Sequence, residues 1–546
     1  MATVETPPNA VAGISLWNRI DDALAAISDR LNPILIREAR QALKSRQFTL
    51  WFVLLLVACW ITTIGGVALV GPSIYYISAG GILLRAYYAV LLLPLTVIIP
   101  FSAYRSLAAE QEENTRDLLE VSTLSHWQIV NGKLGSAAMQ MAMYLAALAP
   151  CIAFTYLLRG VDLVTIVLLL VYAVLACLGL SAVGLLLAAS QRQKRGQNFL
   201  SVLFAGALFF TYSSLFGVAM GVMSLDPTDR GAEWFFWVHA GAASVYFTSV
   251  AVIYVAAAGL CTFASANRST PLRVAIVAQQ AVAVAWIAGL LAIDERVDRG
   301  TMYVAFATVA VYWFGVGAVL TGEPAQLSQR VRRKLPDSLL GRSLLSWFYP
   351  GPGSGYVFAV ANLTLLLGLY AYAVIERSSG GGLPTNAALL AGVLTYVYVV
   401  GFLGAGRLLI SVLRRFATLT LLGAFLVQFL LVLACSAIPP LVLALGGRAR
   451  LANSTLVQVF SPAQSLSTLV DGDFTGSQLT LICTVALALA GCSLLINLSL
   501  AGREAGARRL AKPQRVLEDE AMNATPVRQE PRNPWGDLPD TAGLPE

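Results

Sequence analysis

Charge is scarce in this 546-residue chain: 12% of its residues are Asp, Glu, Lys or Arg, and 57% are hydrophobic. Soluble domains carry about 25% charged residues, and a single water-soluble core stops growing near ~250–300 residues. A chain this long and this apolar needs lipid as solvent. Histidine is nearly missing, with only His126 and His239. No HExxH spacing and no paired carboxylate cluster between apolar segments occurs, which argues against a hydrolase or transferase centre. The seven cysteines (Cys59, Cys151, Cys177, Cys261, Cys435, Cys483, Cys492) fall in apolar segments without any CxxC spacing. They read as packing residues rather than as metal ligands or disulfides. A GxxxxGK[S/T] phosphate loop is also missing; Gly132-Lys133 is followed by Leu134 and lacks the upstream glycine. With no such loop to cradle phosphates and no hydroxyl for magnesium, the chain is not expected to bind ATP or Mg productively by itself. The first fifteen residues, among them Glu5, Pro7, Pro8 and Asn9, lack an apolar run, so no removable leader is expected.

What is present is a series of apolar segments near 50–70, 86–103, 134–158, 163–190, 198–223, 236–264, 274–293, 302–320, 356–375, 387–408, 417–445 and 480–500. A spanning helix needs ~20 apolar residues, so these predict an all-α polytopic protein with about twelve transmembrane helices and the lipid bilayer as its first partner. Within 236–264, the stretch from Trp237 to Val245 also allows a short re-entrant piece before the true span. Basic residues accumulate in cytoplasmic loops. Placing both termini in the cytoplasm leaves only eight of the 37 Lys and Arg outside: Arg85, Arg159, Arg230, Arg296, Arg299, Arg377, Arg448 and Arg450. That asymmetry accounts for the net charge of +7 without a nucleic-acid partner. Lys133, Arg273 and Arg407 are counted among the inside loops on this map.

Residues 15–46 repeat apolar groups at helical spacing (Leu16, Ile20, Leu24, Ile27, Leu31), break at Pro33, and resume with Arg37, Arg40, Lys44 and Arg46. This pattern predicts an amphipathic helix on the inner leaflet. Residues 503–546 carry six prolines and few large apolar groups, so they are expected to remain a flexible cytoplasmic tail. Between these ends a six-span unit recurs in parallel orientation, over 47–273 and 274–502. Each unit has one long loop after its second span (104–133 and 321–355) and a short basic loop after its fourth. Leu118-Leu119-x-x-Ser122-x-Leu124-Ser125 has a counterpart in Leu339-Leu340-x-x-Ser343-x-Leu345-Ser346, and Gly132 falls on Gly353. The second loop lacks Glu112 and Glu113, and has Pro336 for Thr115 and Ser354 for Lys133.

The first long loop, with Glu112-Glu113, Asn114-Thr115, Leu118-Leu119, Leu124-Ser125 and Gly132-Lys133, resembles the signature of type-2 ABC-transporter permeases. The Asn32-Pro33 to Arg37-Glu38 segment resembles the elbow helix opening many of them, and Phe460-Ser461-Pro462 resembles the outer hairpin before their last helix. The resemblance is strongest over about 30–200. It implies an exporter permease of the bacterial inner membrane whose ATP and Mg are held by a separate ABC-type ATP-binding subunit. That subunit would dock on Glu112, Glu113, Thr115, Arg116, Leu118, Leu119, Leu124, Ser125, Gly132 and Lys133. The two leucines would anchor it and the glutamates steer it. Gly217 and Gly221 in the fifth span form a GxxxG pair that permits close helix approach; by the same resemblance they would pack the two halves together. The outer loop 446–479 suits either a periplasmic partner or a plain connector, and a second permease copy stays open.

Asp, Glu, Lys and Arg are essentially missing from the apolar cores on this map, which weighs against proton coupling. Gln140, Gln279, Gln280, Gln428 and Asn362 are the polar groups left in the bundle, expected to hydrogen-bond between helices. An ATP-independent carrier or channel, and a non-transporting scaffold of a membrane complex, are the other readings the residues allow.

Overall fold

A computed structural model describes residues 32–71, 79–112, 125–158, 160–191, 193–225, 233–263, 265–293, 297–325, 327–328, 331, 346–376, 384–445, 459–471, 476–507 and 514–524. Among these residues the regular structure is helical, without strands, and twelve helices are long and apolar enough to cross a membrane. The chain is a multi-pass integral membrane protein.

The helices are α1 (Pro33–Leu43), α2 (Arg46–Val70), α3 (Gly80–Glu112), α4 (His126–Leu157), α5 (Leu163–Ser190), α6 (Lys194–Ser224), α7 (Glu233–Leu260) and α8 (Ser269–Ile293). They continue as α9 (Arg299–Thr321), α10 (Pro352–Glu376), α11 (Thr385–Leu413), α12 (Leu421–Leu445), α13 (Pro462–Asp471), α14 (Gly476–Ala507) and α15 (Gln514–Ala524). Several starts are written in the sequence. Asn32 caps α1, its Oδ1 accepting from Ile34 N at 3.1 Å with Pro33 in the first turn. Ser45 caps α2 through Phe48 N at 3.1 Å, and Asp162 caps α5 through Thr165 N at 3.0 Å. Such side-chain acceptors satisfy amides that the helix itself leaves unbonded. Pro94, which has no N–H to give, sits at the start of a π-helical turn over Pro94–Ile98 within α3.

The span expected over 236–264 is one continuous helix, α7, which takes in the Trp237–Val245 stretch. Two elements differ from the sequence expectation. The last span does not stop near 500 but runs on through Ala507. Part of the expected flexible tail is ordered as α15. Residues 15–31 of the predicted surface helix lie outside the described residues; its later part is α1, with Ile34 and Ala39 buried.

Buried apolar side chains form two clusters within residues 48–261, including Tyr87, Leu91, Leu148, Tyr104 and Phe204, and one within 276–490, including Trp313, Tyr356 and Leu394. In the first region α3 packs on α5 and α1 lies across α4; in the second, α9 packs on α10 and α11, and α11 on α14. Helix α8 runs along α7. Many large apolar groups face outward, Trp60, Phe210 and Val311 among them at 70% exposure or more. In a membrane protein this is the lipid-facing surface.

Candidate functional site: buried ion clusters beside the long loops

Lys133 lies in the second turn of α4, and its side chain is 2% exposed. Its Nζ is 3.0 Å from Glu110 Oε1 on α3, 3.2 Å from Glu38 Oε1 on α1, and 2.7 Å from Ser106 Oγ. Ser106 Oγ in turn donates to Glu38 Oε2 at 3.1 Å. Arg37 stands at the rim, 3.4 Å from Glu110 and 3.5 Å from Glu38. Two cations thus meet two carboxylates, and three helices are tied at one point. A buried ammonium is tolerable only when paired and hydrogen-bonded in this way.

The same spot requires small residues on α4. A Cβ at Gly132 would lie 2.7 Å from Ile34 Cγ2, and one at Gly135 would lie 2.7 Å from Leu35 Cδ1. Asn32 Nδ2 also donates to the Gln128 carbonyl. The helix α1 is therefore clamped onto the first turns of α4 by close packing at one level and by ions at the next.

This corrects two of the docking assignments. Gly132 and Lys133 are interior: the glycine admits α1 and the lysine pins it, so neither presents a surface to a partner. Ser125 is exposed but committed locally, since it caps α4 in a reciprocal box with Gln128, whose Oε1 accepts from Ser125 N at 2.8 Å. Glu112 is exposed at the end of α3. Glu113, Thr115, Arg116, Leu118, Leu119 and Leu124 lie outside the described residues. The loop 113–124 thus begins three residues beyond Glu110 and ends nine residues before Lys133, so the clamp fixes both of its stems.

A second cluster adjoins the other long loop. Arg273, on the first turns of α8, is fully buried. It meets Glu323 Oε2 at 2.8 Å, Ser354 Oγ at 3.2 Å and the Trp347 carbonyl, with its guanidinium 5.6 Å from the Phe358 ring centre. Glu323 Oε2 also accepts from Gly351 N at 2.6 Å, and Gly351 adopts a φ of 141° that favours glycine. Ser354, the counterpart of Lys133 by sequence, therefore receives its cation from a different helix. A third pairing crosses α10, α11 and α14. Arg407 is 2.6 Å from Glu504 Oε1 and 3.0 Å from Asn497 Oδ1, and Gly353 N donates to Glu504 Oε2 at 2.9 Å.

Placing Lys133, Arg273 and Arg407 in loops was wrong, because each belongs to a membrane-crossing helix and is buried near its end. Of their carboxylate partners, Glu38 stood out only as part of the elbow segment, and the sequence marks none of Glu38, Glu110, Glu323 and Glu504 as a partner of these cations. The usable signal was a cation flanked by glycine and leucine inside an apolar run, as in Gly404-Ala-Gly-Arg407-Leu-Leu.

Gly217 and Gly221 do not join the halves of this chain: no atom lies within 4 Å of a Cβ built at either. Helix α6 packs on α3 and α5, and this glycine pair faces away from them. Of the bundle amides, Gln279 bridges Ser249 and Tyr312 at 2.8 and 2.6 Å, and Gln428 bridges Thr321 and the Leu403 carbonyl, each at 3.2 Å. Gln140 and Asn362 instead bond carbonyls of their own helices, and Gln280 Oε1 is buried without a partner among the described residues. The described residues hold no group of three His, Cys, Asp or Glu able to bind a metal. Each cluster ties two or more helices together through buried ion pairs. No family model, curated protein or solved structure matches the chain.

Proposed function

We propose that this protein is the membrane-spanning permease subunit of an ATP-driven ABC exporter in the bacterial inner membrane, with both termini cytoplasmic. ATP and Mg are bound by a separate ABC-type subunit that docks on the loop through Glu112, Glu113, Thr115, Arg116, Leu118 and Leu119, with Leu124 at its far end. The observation that carries this reading is the Lys133–Glu38–Glu110 clamp. A loop that receives a push from a partner needs stems that do not yield. Here both stems and the surface helix α1 share one buried ion cluster. Displacement of the loop would be passed to α1, α3 and α4 together.

The second long loop supports an unequal division of labour between two parallel six-span units. Its described stem is folded back on its own half: Gly351 on Glu323, and the Phe348 carbonyl on Thr270 Oγ1 at 2.6 Å. The first loop is the docking loop, and the second has become part of the frame.

Affinity purification of the tagged chain in mild detergent, with mass spectrometry and an ATPase assay, tests the proposal. A co-purifying subunit with a phosphate loop is expected, lost from a Leu118→Asp/Leu119→Asp variant that still elutes as a folded species. Recovery of the folded chain with no such subunit, or equal recovery with the variant, would contradict it.

A further inference from the structure

The clamp at Lys133 is balanced within itself, since Lys133 and Arg37 face Glu38 and Glu110. Three further cations beside it are not balanced. Arg40 and Lys44 on or just after α1, and Arg46 at the start of α2, are exposed. None of them has a carboxylate within ion-pair distance among the described residues. The packing of α1 sets their direction. Ile34 and Ala39 are buried, Ile34 against Gly132. Pro33, Arg37, Arg40, Gln41 and Lys44 recur at three- and four-residue intervals on the open face. Together with Ile36 they line a shallow groove of about 490 Å³.

This groove lies at the edge of the hydrocarbon. Helix α2 follows α1 after two residues and has 25 residues of its own, about 37 Å at ~1.5 Å per residue. The hydrocarbon core is ~30 Å thick, so part of α2 stands outside it. Its far end is apolar through Val70, whereas its near end begins Arg46-Gln47, and the excess length therefore falls at Arg46. One turn further on, Leu50, Val53 and Leu54 are all more than half exposed and begin the lipid-facing surface. Cations next to apolar Pro33 and Ile36 are the composition of a helix seated where acyl chains meet headgroups. A basic cluster adjoining a span attracts anionic lipid, and the attraction fades within about a Debye length, ~10 Å at 0.1 M salt.

We propose that the open face of α1, with Lys44 and Arg46, binds the headgroups of anionic phospholipid in the leaflet on the side of the long loops. Arg40 and Arg46 offer guanidinium forks to phosphate oxygens and Lys44 a point charge, while Pro33 and Ile36 meet the tops of the acyl chains. Helix α1 is then held from two sides, by the ion clamp on α4 and by the headgroups. The charge of the lipid bears on the same helix that fixes the stems of the first long loop. The proposal stands apart from the ATPase reading, since it needs no partner subunit.

The test uses the full chain in nanodiscs of phosphatidylcholine and phosphatidylglycerol with matched acyl chains. Lipid retained on the released chain is read by native mass spectrometry. Phosphatidylglycerol should be retained over phosphatidylcholine, and its retention should fall about fivefold for each cation removed in Arg40→Gln/Lys44→Gln. The control is Lys194→Gln/Arg195→Gln, an equal loss of exposed charge at the same end of the bundle, where Gln197 Nε2 meets Gln111 Oε1 at 3.1 Å. It should keep the retention of the parent. In the unaltered chain, amide exchange over 33–43 should be slower with phosphatidylglycerol than with phosphatidylcholine alone, a comparison that does not depend on any variant folding. Excess soluble glycerol phosphate should leave both readouts unchanged. Equal retention of the two lipids, with equal exchange over 33–43, would overturn the proposal. Equal loss in both variants would overturn the site on α1, and displacement by glycerol phosphate would overturn the membrane as the source of the anion.

Discussion

Lys133 serves two carboxylates at once, so its removal is not the loss of a single contact. Glu38 and Glu110 would be left facing each other at 12% and 13% exposure, with the rim Arg37 beside both. Breaking a buried pair from one side costs about 3–5 kcal/mol, whereas replacing the whole set by apolar groups is often near neutral. Lys133→Met should therefore lower the melting temperature of the purified protein. Lys133→Met/Glu38→Leu/Glu110→Leu should recover most of the loss in the same detergent. A single variant as stable as the parent would show that the cluster bears little load. Asp298, the cap of α9, offers a pH test. Its Oδ1 and Oδ2 accept from Thr301 N at 3.2 Å and Gly300 N at 3.1 Å. The Thr301 hydroxyl, followed by these amides, holds its carboxyl below the ordinary value, ~3.9 for Asp. A carboxyl with a lowered folded pKa stabilises fully above the unfolded value and loses this as pH falls through the folded one. The stability difference between the parent and Asp298→Ala should thus be constant at pH 6–8 and shrink below about pH 4, read by thermal unfolding.

At the scale of elements, the contact between α1 and α4 separates two kinds of glycine. A side chain at Gly132 would collide with Ile34, whereas at Gly217 it would meet nothing. Gly132→Ile should lift α1 from α4 and speed amide exchange over 33–43, and Gly217→Leu should leave exchange on its neighbours α3 and α5 unchanged. Both glycines stood out in the sequence, but a GxxxG spacing says only that an approach is permitted, not that a helix fills it. The spans were legible because lipid demands long apolar runs, and α1 because Asn32-Pro33 announces a start. Lys133, Arg273 and Arg407 misled because a cation at the end of a span and a cation in a loop look alike along the chain. Only the folded bundle brings Glu38, 95 residues away, to Lys133. The extension of α14 to Ala507 was hidden for a similar reason: Arg503 and Glu504 end the apolar run, yet Glu504 is held by Arg407 and Gly353. The amphipathic turns of α15 were obscured by the prolines around them.

Over the whole molecule, the first half joins the stems of its long loop to a three-helix ion clamp, and the second half draws its described loop stem inward onto Glu323 and Thr270. The account predicts an asymmetric machine in which force enters through one loop only. Its central claim is tested most directly by a photo-crosslinking amino acid placed at Leu118 and, in a separate chain, at the matching Leu339, in cells producing the tagged protein. The account predicts an adduct with a phosphate-loop ATPase from position 118 and none from position 339. Absence of that adduct at position 118, or equal capture from both, would contradict it.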